Sequence, residues 1–152
     1  MTITPRTLRV AGPDDLAAVL PLAVEFYAED GFATGEHALR RNLTALLASP
    51  AARVAVVHSP DRLLGFAVTT TSFGLENGLI AELEGLFVLP AARRRGLAGR
   101  LIEDSVAWAR EQGCRHLELV IAPNGRDAGH LVDYYLAHGF RDDGRRLLSR
   151  SL

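Results

Sequence analysis

Three features of this sequence predict a mixed α/β domain built on one central sheet. Runs such as "ARVAVVH" and "LLGFAVTTTSF" are β-branched and alternating, the period of strands. Leu97, Leu101, Ile102, Val106 and Ala109 recur at helical spacing. The two kinds of pattern follow one another along 152 residues with no repeat, low-complexity tract or linker between them. That length suits one buried core, so residues 1–152 are expected to form a single domain.

Taken in order, "RTLRVA" (Arg6–Ala11) alternates like a short strand, and "GPDD" supplies helix-start chemistry. Asp14 or Asp15 can cap a helix running to about Glu29, with Leu16, Val19, Leu20, Ala23 and Phe26 on its buried face; "EDGF" ends it. A second helix spans about Glu36 to Ala48 and stops at "SP". "ARVAVVH", the turn "SPDR" and "LLGFAVTTTSF" predict a hairpin. After the loop "GLENG", "LIAELEGLFVL" predicts a third long strand, which Pro90 stops because proline cannot donate to a ladder. A helix from about Gly96 to Gln112 follows, with Gly113 at the left-handed position past its end. "HLELVIA" predicts another strand, "AGHLVDYYLAHG" a short helix, and "FRDDGRRLLSRSL" a terminal hairpin around "DDG". The sheet is therefore mixed and mostly antiparallel: a hairpin meander, then a strand–helix–strand crossover.

Composition narrows the function classes. Apolar residues at 48% and charged residues at 23% describe an ordinary globular chain, and a net charge of −1 excludes a generally basic protein. The longest uncharged run, Leu16 to Val24, is too short to cross a bilayer, and "MTITPRTLRVAG" lacks the apolar core of a signal peptide. The expectation is a cytoplasmic protein with no membrane partner. The single cysteine, Cys114, has neither a disulfide nor a CxxC partner and is read as a small core residue rather than a nucleophile.

The informative stretch is "FVLPAARRRGLAGRLIE", Phe87 to Glu103. Three arginines stand at a helix start, where the helix dipole is already positive. The placement is uphill unless an anion sits there. A strand, a glycine-containing loop and a helix N-terminus form a phosphate-binding arrangement, since the first helical N–H groups have no partner inside the helix. Gly96 and Gly99 let an anion approach the backbone, and Arg93, Arg94, Arg95 and Arg100 supply charge-assisted hydrogen bonds. Neither GxxxxGKS/T nor GxGxxG occurs, which argues against a P-loop or a dinucleotide site.

The spacing Arg93-x-x-Gly96-x-Ala98 resembles the pyrophosphate loop of the GNAT superfamily of acetyl-CoA-dependent N-acetyltransferases, written Arg/Gln-x-x-Gly-x-Gly/Ala. "FVLP" upstream and "YYLAHGF" (Tyr134–Phe140), similar to the family's FYxxxGF, carry the resemblance further. It covers the whole chain in element order and is strongest from Glu82 to Phe140. It implies acetyl-CoA as co-substrate, an amine acceptor and no metal; a homodimer is compatible with it. It also implies a splayed strand pair, with the pantetheine arm between "HLELVIA" and the strand end Leu86-Phe87-Val88. The backbone there would hold pantetheine and polarise the acetyl carbonyl. The amides from Arg94 through Gly96, Leu97 and Ala98 to Gly99 would hold the pyrophosphate.

By the same resemblance, Tyr135 is the candidate acid that protonates the leaving thiolate, while Tyr134 packs. An acidic residue near Glu84 is common in the family. Glu82 and Glu84 alternate with Ala81, Leu83 and Gly85, which places both on one strand face, so either is a candidate base. One departure stands out. The family's strand-end asparagine lies seven residues before the tyrosine, but Asn124 lies eleven before Tyr135 and Ala128 holds the expected position. Asn124 remains a candidate pantetheine contact, and His130 is read as solvent-facing. Glu25, Glu29, Asp30, Glu76 and Glu82 are candidates for an acidic acceptor mouth, or are scattered surface charges. Two further readings compete with the enzyme: an acyl-CoA sensor without transferase activity, and a nucleic-acid binder using Arg93–Arg95. The second lacks the interleaved aromatics that stacking needs, so no nucleic-acid partner is expected.

Overall fold

The computed structural model describes residues 6–122 and 128–152. Five strands lie in the order β1-β2-β3-β4-β5: β1 Thr7–Val10, β2 Ala52–His58, β3 Leu63–Gly74, β4 Gly78–Val88 and β5 Leu117–Glu118. The first four are antiparallel neighbours, and β4 pairs with β5 in parallel. Four helices accompany them: α1 Leu16–Glu29, α2 Glu36–Ala48, α3 Leu97–Glu111 and α4 Ala128–Ala137.

Strand alternation sends β2 and β3 side chains to opposite faces, and each face has its own core. Val54, Val56, Phe66 and Val68 meet Val19, Leu20 and Ala23 of α1 and Leu39, Leu43 and Leu47 of α2. Ala55, Val57, Leu64 and Ala67 meet Leu97, Leu101 and Ile102 of α3. Polar links fix α3 on the sheet. The Thr69 hydroxyl donates to Ser105 Oγ at 2.9 Å, and Ser105 donates to the Leu101 carbonyl at 3.1 Å, both buried. Arg53 makes a two-pronged pair with Asp104 at 2.9 Å for each nitrogen. The start of α1 is tied as well. Asp15 accepts the Gly12 N–H at 2.9 Å and two bonds from Arg9.

Pairing of β4 with β5 is confined to Ala81↔Leu117 and Glu82↔Glu118. Beyond Glu82, β4 continues to Val88 with no partner on that edge among the described residues. The divergence begins beside a bulge. Val68 faces Gly85 and Thr69 faces Leu83, which leaves Glu84 as the extra residue. A bulge bends and twists its strand, and this one turns β4 away from β5. The splayed pair is thus built into the fold.

Three expectations need correction. The strand foreseen over "HLELVIA" shortens to Leu117–Glu118, because the β4 edge it would follow has turned away. The terminal hairpin does not form. The "DDG" turn is present, with Gly144 at φ +81 and its N–H bonded to Asp142 Oδ1 at 2.9 Å. No strand flanks it from Arg141 to Leu152, where Leu147, Leu148 and Leu152 are exposed. A two-residue β5 offers no regular edge for those strands to extend, and among the described residues the one ion pair from this tail to the rest of the chain is Arg145 to Glu118 at 3.5 Å. Finally, Gly85 does not share the face of Ala81 and Leu83. The bulge turns it toward α1, where a Cβ would lie 3.3 Å from Phe26.

Candidate active site

The loop between β4 and α3 begins with a short turn, Pro90–Ala92, after which the chain reverses through Arg94 at φ +63 and Gly96 at φ +76. A left-handed backbone suits glycine, and Gly96 has open space around its Cβ position, so conformation rather than crowding explains the residue. Gly99 differs: a Cβ there would stand 3.2 Å from the His138 ring, so its smallness serves the packing of α4 on α3. Among the described residues no acceptor takes the backbone N–H groups of Arg94 through Gly99, and no side chain caps α3. The first turn of α3 holds no acidic residue. Six free amides, the positive end of a helix and the exposed Arg94, Arg95 and Arg100 converge on one place. This arrangement fits a pyrophosphate. An open depression of about 710 Å³ adjoins it, lined by Leu8, Gly96, Gly99, Arg100, Glu103 and His138.

Arg93 behaves differently from its neighbours. Its guanidinium turns inward to the Val88 carbonyl and to Glu29, both at 2.8 Å. Of the strand end Leu86-Phe87-Val88, Phe87 and Val88 are buried side chains, and the Val88 carbonyl is taken by Arg93. Asn124 lies outside the described residues.

A second, more enclosed cavity of about 380 Å³ opens between α1, α2 and the bulged part of β4. Phe26, Tyr27, Leu43, Leu46 and Phe66 give it an apolar wall, and Glu82, Glu84, Asn42 and Thr34 supply the polar groups. Both candidate bases therefore line one space. Glu84 reaches the open mouth of the cavity, yet loss of hydration against the wall pushes its pKa up, and the charge of Glu82 pushes it further. A carboxylate shifted in this direction is a better proton acceptor near neutral pH. Burial likewise raises the Tyr27 hydroxyl, with Glu84 and Asp30 adding repulsion.

Tyr135 sits on α4 with its ring 5.4 Å from Tyr134 and 5.6 Å from Phe140, edge to face in both cases. Burial, then the neighbouring Tyr134 and Asp30, push its hydroxyl up to about 12. It keeps its proton throughout the physiological range. Asp30 itself is raised by burial and by Glu29, and Arg93 opposes that shift. Its charge adds a small upward push on the hydroxyls of both Tyr27 and Tyr135. Tyr134 packs against His138 at 4.5 Å, and its hydroxyl is raised by burial.

The structure thus gathers Glu82 and Glu84, ties Glu29 to Arg93 and leaves Glu25 and Glu76 exposed at the surface. His130 is exposed, and Cys114 is half-buried. Sequence reasoning missed Tyr27, Asn42 and Val120 as lining residues. The first lies in "EFYAEDGFATGEH", a segment that the family resemblance places at the acceptor pocket without singling out the tyrosine. Among the described residues no group of three His, Cys, Asp or Glu is placed to hold a metal ion, and no helix is long and apolar enough to cross a membrane.

A free-amide helix start beside a splayed parallel pair, with an acid-lined cavity across the strand, fits an acyl-CoA-dependent transferase. Comparison with known proteins agrees. The model of the acetyltransferase (GNAT) family matches residues 18–141. An aminoglycoside N(6')-acetyltransferase type 1 of Klebsiella aerogenes is 31% identical over 103 residues, 66% of this chain and 68% of that protein. The uncharacterized N-acetyltransferase YhfO of Bacillus subtilis is 29% identical over 140 residues, 90% of each chain. Among solved structures, aminoglycoside N-acetyltransferase AAC(6')-Iy in complex with CoA superposes with a TM-score of 0.84 at 21% identity, covering 99% of this chain and 97% of that one. An integron cassette protein from a salt-marsh metagenome gives 0.81 at 30% identity, covering 95% and 90%. The chain belongs to the GNAT acetyltransferase family. It is an acetyl-CoA-dependent N-acetyltransferase that acetylates an amine.

Proposed function

We propose that this enzyme acetylates a cationic, polyamino sugar of the aminoglycoside class, directly from acetyl-CoA in a ternary complex. The observation that carries the reading is the cavity itself. Glu82 and Glu84 face it from the strand whose unpaired edge leads to the helix-start amides. An apolar wall with carboxylates at its floor and mouth suits a ring carrying several ammonium groups. The naming of several relatives as aminoglycoside N(6')-acetyltransferases supports the same acceptor.

In this reading the amides of Arg94–Gly99 seat the pyrophosphate, with Arg94, Arg95 and Arg100 around it and Arg93 at the loop's entry. The free β4 edge toward Leu86, Phe87 and Val88 receives pantetheine, with Asn124 as a further contact. Acetyl-CoA supplies an activated thioester carbonyl. Glu84 accepts a proton from the incoming ammonium, Glu82 raises its basicity and attracts the cation, and Tyr135 donates a proton to the departing sulfur. Residues 1–152 act as one domain in the cytoplasm, and a homodimer is compatible with the exposed apolar tail.

A thiol-release screen with acetyl-CoA tests the acceptor. We expect release with 6'-amino aminoglycosides such as neamine to exceed release with polyamines, amino acids and peptide N-termini. Equal rates across the panel, or release only with peptides, overturn the reading.

A further inference from the structure

Arg93 is held from three sides. Its Nε donates to the Val88 carbonyl at 2.8 Å, and NH2 donates to Glu29 Oε2 at 2.8 Å. Its Cζ lies 5.5 Å from the centre of the Phe87 ring. The link joins three parts of the site. Phe87 and Val88 end β4, Glu29 is the last residue of α1, and Arg93 itself opens the loop that carries the free amides. Phe87 in turn stacks on Phe26 of α1, with centroids 5.7 Å apart and planes at 18°. A planar fork is needed to bond two oxygens in different directions while lying against a ring, which lysine cannot do.

We infer that Arg93 is a strut rather than a phosphate ligand, and that Glu29 is a positioning residue for acetyl-CoA. Through Arg93, the carboxylate at the end of α1 holds the loop 94–99 in the shape that receives the pyrophosphate. The inference rests on reading that loop as the pyrophosphate seat. A loop held in its binding shape loses less entropy when its ligand arrives. Because α1 also carries Phe26 and Tyr27 of the second cavity, one rigid link then joins the co-substrate loop to the acceptor wall.

The sign of one substitution separates this from simple electrostatics. Glu29 is a negative charge close to an anion site, so its Coulombic effect is to repel CoA, and Glu29→Gln should tighten binding on that ground alone. The strut predicts the opposite. CoA affinity is measured by calorimetry for wild type, Glu29→Gln, Arg93→Gln and the double variant, each checked for a native melting transition. We expect each single change to weaken CoA about fivefold, the magnitude of ordering a few side chains. The double variant should be no weaker than either single, since both cut the same link. Arg93→Lys, which keeps the charge and loses the fork, should weaken CoA like Arg93→Gln. Wild-type or tighter binding by Glu29→Gln overturns the proposal, as does full affinity in Arg93→Lys. Gly96→Glu serves as the control on the loop. If it binds CoA normally, the loop is not the pyrophosphate seat and that reading fails first.

Discussion

Glu82 and Glu84 line the same cavity although a bulge at Glu84 breaks the strand alternation between them. The extra residue keeps Glu84 on the cavity side while it turns Gly85 from the α3 face to the α1 face. The two carboxylates are therefore close enough for one to raise the pKa of the other. That coupling has a sign that can be measured. A base must be ionised to work, so the rate falls as pH drops through the raised pKa of Glu84. Glu82→Gln removes the like charge and lowers that pKa, and the acid limb of the pH–rate profile should move to lower pH. Glu84→Gln should instead depress the rate most at low pH, with partial recovery as free amine becomes available. Profiles parallel to wild type in both variants would remove the glutamates from the mechanism.

Tyr135 is pushed up to about 12, principally by burial, so it stays protonated at any working pH. Tyr135→Phe should lower turnover about a hundredfold with little change in the Michaelis constant for acetyl-CoA, the pattern of a group acting in the transition state. The loss should be uniform from pH 6 to 9, because the hydroxyl does not titrate there. Unchanged turnover would leave the thiolate to take its proton from water.

At the loop, strain and charge can be separated. Gly96 sits at φ +76 with open space beside it, so Gly96→Ala should cost about 1 kcal/mol of stability through backbone strain and leave CoA binding nearly intact. Gly96→Glu carries the same strain and also puts a carboxylate where the pyrophosphate belongs. It should abolish CoA binding in a folded protein. Calorimetry and thermal melts on the two variants read both effects, and matching CoA affinities would sink the assignment.

Asp15 is a stability site rather than a catalytic one. Bonds from Arg9, then from the Gly12 N–H, hold its carboxyl down at about 2. A carboxylate with a depressed folded pKa stabilises the fold above its ordinary range. That contribution fades as pH falls toward about 2. Asp15→Asn should destabilise by about 1 kcal/mol at neutral pH, since the Arg9 partner is partly exposed. The gap from wild type should close in acid. A constant gap between pH 7 and pH 2 would show that the ionised form is not what matters.

Much of this protein was determined by local sequence. The helices over Leu16–Glu29, Glu36–Ala48 and Leu97–Glu111 follow from apolar spacing, and β2, β3 and β4 from β-branched alternation. The arginine-rich helix start announced an anion site because its reasons are local: free amides, a helix dipole and a left-handed glycine all lie within a few residues. Tertiary structure decided what depends on partners distant in the chain. The bulge at Glu84 exists only in the register of β4 against β3, so strand alternation alone could not place Gly85 or shorten β5. Arg93 reads as one more cation beside Arg94 and Arg95, and its inward turn depends on Glu29, sixty-four positions away, together with the end of β4. The terminal "DDG" turn formed from its own aspartates, but strands need an edge to pair with, and a splayed β5 offers too little of one.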